Sequence, residues 1–388
     1  MITQTSSRRS SRPLRQPFEF SGGFSLVEVM VGMVIGMLGI LVMMQVFALA
    51  EGQKRATTSG ADATGNGAIS MYGLQRDMQQ AGYGFSDTRV LGCNVTLRGG
   101  VTLSGLGPVT INHPAIPAGD ANTDTLLIVY GNSGDAVQGD FITGTSNASN
   151  SYPMQTATAF SAGDNVVAVP VAGCGAPALV MSRVAAGGVG QNVTMTSNVT
   201  SMTTAGGTLF NLGQQPKVLV YAIRNGNLTL CRYVDINPTT GVDSGNDCGN
   251  AAATGNAAVW GPIANNIVSL RAEYGRDASA VVTNATPGLN PSTLMKMPVV
   301  TTYDQTTPAS SCAWSRLSAI RLTLVARNGQ YDKTAVTTAA PVWAGTTSVQ
   351  PVPIDLSANA DWQHYRYKVF EQTVAIRNSD WLGVSIGC

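Results

Sequence analysis

The chain has 388 residues with 23 Lys and Arg against 22 Asp and Glu, a formal charge of +1, and that balance provides no general surface for a polyanion, so no nucleic-acid partner is expected. Charged residues make up only 12% while Gly, Thr, Asn and Ser are abundant, which excludes a mostly helical protein and favours a loop-rich β protein. Only two histidines occur, His113 and His364, far apart in sequence. A His-based triad or His-metal cluster has little to build on, and no GxSxG, Walker or GxGxxG pattern is present, so the chain is not expected to be an enzyme.

Residues 1–23, MITQTSSRRSSRPLRQPFEFSGG, carry Arg8, Arg9, Arg12 and Arg15 against one acid, Glu19. The positive-inside bias holds this end in the cytoplasm and exports the rest. Residues 24–50 form an apolar run whose only strongly polar side chains are Glu28 and Gln45. It is long enough to cross a bilayer as one helix. A carboxylate inside such a helix costs on the order of 2.5–3.5 kcal/mol, less near the headgroups, so Glu28 needs a shallow position or a cationic partner. An ordinary secretory signal is cut after a shorter apolar core, whereas Gly22 and Gly23 stand before this one. A cut there leaves the helix on the protein.

Gly23, Phe24, Ser25, Leu26, Val27 and Glu28, between a basic leader and an uninterrupted apolar run, resemble the prepilin signal. The resemblance implies cleavage after Gly23 by a membrane aspartyl peptidase, the prepilin peptidase, and N-methylation of Phe24. The new ammonium would lie one helical turn from Glu28. In a bundle of staggered helices this carboxylate could meet a neighbouring subunit's ammonium, a pair favoured in low dielectric over either charge alone, which makes Glu28 an assembly contact. Gly32, Gly36 and Gly39 permit close helix approach, although such residues are common in unrelated membrane helices. Gln45 departs from the helix-kinking proline that many major pilins carry. Without the leader, Lys and Arg fall from 23 to 19 and Asp and Glu from 22 to 21, a charge of about −2.

Residues 51–84 read as a soluble continuation of the helix, loosened at residues 60–67 by glycine. Met71, Leu74, Met78 and Ala81 repeat at spacings of three and four, one apolar stripe that packs on the remainder. Gly82 and Gly84 supply the stop. The pattern then changes to strands, in a β-rich domain over residues 85–388 without internal repeats. Short β-branched runs occupy 124–131 and 165–174, and 217–234 is a hairpin turning at Asn225-Gly226. Further strands are predicted at 265–277, 316–329 and 364–378.

Six cysteines lie on the exported side, where disulfides form, and six allow 15 pairings. Cys231 and Cys248 enclose a short segment after the hairpin and are the first expected pair. The others could join Cys93 to Cys174 and Cys312 to Cys388, pairings that no spacing argument selects. In the loop DINPTTGVD, Asp235, Asn237, Thr239 and Asp243 alternate as in calcium loops. Gly241 is one place late for an EF-hand and the distal Glu is missing, so a solvated turn is the stronger expectation and no cofactor is called for. Trp260, Trp314, Trp343, Trp362 and Trp381 read as core anchors rather than a sugar-binding row.

The order of LQRDMQQAGYG, DTLLIVY, the hairpin with its Arg-Tyr strand, a strand ending YGRD, SRLSAIRLTLVAR and YRYKVFEQTVAIRN resembles PilW-like minor type IV pilins. This implies an α+β, pilin-like fold: a long N-terminal helix, membrane-spanning in its first half, followed by a large β-rich head. It further implies a single-pass inner-membrane protein that moves into a pilus, with the major pilin and other minor pilins as partners. The implied role is initiation of pilus assembly at the tip, supporting adhesion and twitching motility. A minor pseudopilin of type II secretion, a tip adhesin or DNA-uptake receptor, and a membrane-anchored enzyme are the alternatives.

Overall fold

The computed structural model describes residues 23–85, 87–134, 138–145, 150–174, 178–197, 206–237, 239–292, 294–345, 352–380 and 383–388. The expected leader, apart from Gly23, and Trp381 lie outside the described residues. The chain divides into two compact units after Thr57.

Helix α1 runs from Leu26 to Gln80. In the first unit it is long and apolar enough to cross a membrane, and residues 23–50 are exposed throughout. The expected loosening at residues 60–67 does not occur, since the helix is continuous there. Of its glycines there, each costing about 1 kcal/mol in a helix, Gly60 and Gly65 face open space and Gly67 is packed. A Cβ on Gly67 would lie 2.0 Å from Cε2 of Phe370, so this glycine allows a strand's aromatic ring to rest against helix backbone. The predicted stripe is buried, Met71, Leu74, Met78 and Ala81 being no more than 6% exposed. Beyond Gln80, Gly82 and Gly84 take φ of 83° and 90°, a conformation that ends a helix at little steric cost. The amide of Gly82 then donates to the Val129 carbonyl and that of Gly131 to the Tyr83 carbonyl, which docks the helix end on the strands.

Among the head's strands, in chain order, are β1 (Val109–Ile111), β2 (Leu126–Tyr130), β3 (Asn165–Val169), β4 (Leu179–Val189), β5 (Thr208–Gly213), β6 (Lys217–Arg224), β7 (Asn227–Val234), β8 (Gly261–Ala264), β9 (Ile267–Arg276), β10 (Thr302–Asp304), β11 (Leu317–Arg327) and β12 (Tyr367–Ala375). An antiparallel five-stranded sheet has the order β8-β7-β6-β2-β1, and an antiparallel four-stranded sheet the order β10-β9-β11-β12. A larger sheet contains β4, β3 and β5 as neighbours. The β6-β7 hairpin turns on Asn225 and Gly226, both at positive φ, as a two-residue turn matched to strand twist requires. Strand β3 stops at Val169, short of the predicted 174, where Pro170 has no amide to donate.

The four-stranded sheet is two-faced. Leu270, Ala272 and Tyr274 of β9 and Ile320, Leu322 and Leu324 of β11 join the main core, which also takes in the α1 stripe. The opposite face presents Ser269, Arg271 and Glu273 beside Arg321 and Thr323, and Val325 there packs with Trp343, Ile354 and Leu356. Trp260, Trp314 and Trp343 are buried, and Trp362 is half-buried against this smaller cluster.

Candidate functional site

Gly23 and Phe24 stand just ahead of α1, and Glu28 lies in its first turn, which closes with the Val29 amide donating to the Ser25 carbonyl at 3.1 Å. A carboxylate at that position complements the unpaired N–H groups and positive end of the helix. Phe24 is 81% exposed and Glu28 is exposed as well. A Cβ on Gly32, Gly36 or Gly39 would meet nothing within 4 Å, so the helix backbone is bare at three places along this segment.

The six cysteines pair as Cys93–Cys174, Cys231–Cys248 and Cys312–Cys388. The Cys231–Cys248 bridge closes a sequence separation of 17 residues, for which chain entropy supplies about 3 kcal/mol. The others close separations of 81 and 76. In the loop that alternates Asp235, Asn237, Thr239 and Asp243, two side-chain oxygens accept from backbone amides. Asp243 Oδ1 accepts from the amides of Asp235 and Gly245, and Asn237 Oδ1 from those of Thr239 and Thr240. Among the described residues no three His, Cys, Asp or Glu gather as metal ligands. The two histidines are apart as well: His113 contacts the Ser104 carbonyl, and His364 contacts the Asp332 carbonyl.

Three buried polar ties escaped the sequence reading. The first is Asp77, 3% exposed, on the sheet-facing side of α1. Tyr221 of β6 donates its hydroxyl to Asp77 Oδ2 at 2.5 Å, and Tyr130 of β2 donates to Oδ1 at 3.4 Å. Burial, then the nearby carboxylate, pushes the Tyr130 phenol up to about 12 and raises Tyr221 further still, so both remain donors at neutral pH. A signal existed, because Asp77 follows Leu74 by three residues, inside the apolar stripe. The second is Asp124, 2% exposed and just ahead of β2. It accepts from Asn112 Nδ2 at 2.8 Å, the Ala272 amide at 3.0 Å and Gln305 Nε2 at 2.8 Å, and lies 3.4 Å from Arg271. This carboxylate thereby ties the five-stranded sheet to the four-stranded one. The third is the pair of Glu273, fully buried, with Arg321 directly across the β9-β11 ladder at 2.6 Å.

The comparisons with known proteins meet this arrangement in its second half. Residues 220–378 match the sequence family described as Type IV Pilus-assembly protein W. The chain is PilW-like over that segment. The PilW segment runs from within β6 to just past β12 and spans somewhat less than half of the chain. It holds Tyr221, Glu273 and Arg321, while α1 and its first turn precede it. No curated protein matches the sequence. Among solved structures, a type IV-like pilin from Thermus thermophilus is 10% identical, with 82% of this chain and 97% of that chain covered and a TM-score of 0.26, a likeness too slight to argue from. The PilW segment, behind a helix long and apolar enough to span a membrane, gives the protein a pilus-related role.

Proposed function

We propose that the protein is a minor type IV pilin that takes part in initiating pilus assembly and works at or near the pilus tip, in support of adhesion or twitching motility. The observation that carries this reading is Glu28 in the first turn of an exposed apolar helix, directly behind Gly23 and Phe24, on a chain that is PilW-like over residues 220–378. In this reading residues 1–23 are the leader that prepilin peptidase removes. Residues 24–50 hold the protein in the inner membrane, N-terminus inside, and later pack in the pilus. Residues 51–84 continue the helix into a head over 85–388. The major pilin and other minor pilins are the partners, and no catalysis is involved. The 235–243 loop acts as a closed turn rather than a calcium site, with Asp243 Oδ1 and Asn237 Oδ1 each accepting from two amides.

The test follows Glu28. Once Phe24 carries the free ammonium, removing the carboxylate leaves a buried positive charge unpaired in a dry bundle, a loss of roughly 3–5 kcal/mol. Glu28→Ala should still insert and be cut after Gly23, with mass spectrometry finding N-methylated Phe24 at the mature terminus. It should be depleted from sheared pili relative to membranes, and Glu28→Asp should recover part of the incorporation. A mature chain that retains Met1, or normal incorporation of the Ala variant, would overturn the assignment.

A further inference from the structure

A groove of about 370 Å³ lies between the later part of α1 and the five-stranded sheet. Its helix wall includes Ile69, Gly73 and Arg76, at spacings of four and three that share a face. Its sheet wall includes Lys217 and Leu219 of β6 and Arg232 of β7, with Leu219 and Arg232 directly opposed in the ladder. Three properties of these walls act together. Among the described residues the Lys217 and Arg232 side chains meet no carboxylate, and Arg76, 64% exposed, has only a long 3.4 Å contact to Asp77. Apolar surface flanks the cations, Ile69 being 73% and Ile263 50% exposed. A Cβ on Gly73 would meet nothing within 4 Å, so bare helix backbone faces the groove and a second helix can come close.

Cations lining one groove call for negative charge, apolar flanks call for an apolar neighbour, and a bare helix backbone beside a sheet wall is the shape of a helix seat. A free phosphate would leave Ile69 and Ile263 exposed, whereas an amphipathic helix with carboxylates on the same face meets all three demands. We propose that this groove seats an acidic amphipathic helix of a partner pilin, an inference that rests on the minor-pilin reading above.

The experiment uses the full chain, co-expressed in membranes with the major pilin or with each other minor pilin of the same bacterium in turn. A carbodiimide is added before purification. It activates a carboxylate, the Lys217 amine displaces the activated oxygen to form an amide, and the carbodiimide leaves as its urea, so only groups already in contact are joined. The expected product is a peptide linking Lys217 to an Asp or Glu in a helix of one of those pilins. The double variant Lys217→Glu/Arg232→Glu should lower co-purification of that pilin roughly tenfold. Gly73→Leu should do the same by filling the seat, although its side chain enters open space and leaves the fold intact. Gly65→Leu, on the same helix outside the groove and equally unobstructed, should leave the association unchanged. If a pilin co-purifies with the wild-type chain but Lys217 joins none of its carboxylates, or if the groove variants bind as wild type does, the groove assignment is wrong. Coupling of Lys217 to a second copy of this chain would overturn the choice of partner. If no pilin co-purifies and the chain is absent from sheared pili, the minor-pilin reading itself fails.

Discussion

Removing the carboxylate at Asp77 should destabilise the head more than any single phenol does, because it strands two buried hydroxyls at once. The Tyr221 bond to Asp77 is short, 2.5 Å, and made to a carboxylate that is 3% exposed. Such charge-assisted bonds contribute about 1.5–3 kcal/mol, and a buried donor left without a partner costs about 1–3 kcal/mol. The Tyr130 bond, at 3.4 Å, is long and contributes less. The expected losses are therefore about 3 kcal/mol for Asp77→Ala, about 2 for Tyr221→Phe and under about 1 for Tyr130→Phe. In Asp77→Ala/Tyr221→Phe the two losses should fall short of adding, since each removes the same bond. The assay is urea unfolding of the full chain in detergent with its disulfides intact, followed by fluorescence of the buried Trp260, Trp314 and Trp343. With a urea slope of about 3 kcal/mol/M, the Asp77→Ala midpoint should drop by about 1 M. A drop below about 0.3 M, or equal effects of the two Tyr→Phe changes, would refute the assignment of Asp77 and Tyr221 as the main tie between helix and sheet.

Two glycines near each other on α1 should respond in opposite senses. Gly65→Ala enters open space and should stabilise by about 0.5–1 kcal/mol through helix propensity, whereas Gly67→Ala drives a methyl to 2.0 Å from Phe370 and should destabilise by about 1–3 kcal/mol; thermal unfolding separates the two, and stabilisation by both would deny the helix-to-ring packing. Arg321→Met leaves fully buried Glu273 without its cation and should cost about 3–5 kcal/mol, while Glu273→Leu/Arg321→Met should restore most of that; an equally unstable double variant would mean that the pair does more than neutralise itself. The head should also unfold in alkali. Burial raises Tyr130, Tyr233 and Tyr367 from an ordinary 10.0 to about 12, so their protonated forms are favoured in the folded state. Their contribution is full below pH 10 and is lost as pH rises through about 12. Unfolding free energy that stays flat across pH 10–12 would contradict that burial.

The regular parts of the fold were legible because each has a local cause. The hairpin at 217–234 was set by Asn225-Gly226 between β-branched runs, and the helix stripe by the spacing of Met71, Leu74 and Met78. The start of α1 was legible for the same reason, a long apolar run that calls for a helix by itself. The misjudged places depend on contacts distant in sequence. At residues 60–67 α1 is continuous and Gly67 rests against the ring of Phe370, about 300 residues later, a contact that local composition does not announce. Asp124 reads in sequence as the polar start of a strand. Only the fold assembles Asn112, Ala272 and Gln305 around it. The pair of Glu273 and Arg321 required the β9-β11 register before the two could be seen as opposite one another.

Asp77 also bears on the groove beside it. A carboxylate at that place could have drawn in the neighbouring guanidinium and given a self-satisfied surface. Instead its short bond is to Tyr221, and Arg76 is left with a long contact at 3.4 Å. Arg76 and Arg232 both line the groove together with Tyr130, which places their positive charge on its walls. The helix is thus fixed to the sheet by neutral donors on a buried anion, and the cations at the rim are left to face outward. A tie made instead by Arg76 or Arg232 would have held the helix equally well in electrostatic terms but would have used up the charge that an acidic partner needs. With the tie made by phenols, one carboxylate anchors the helix while the rim keeps its charge for docking.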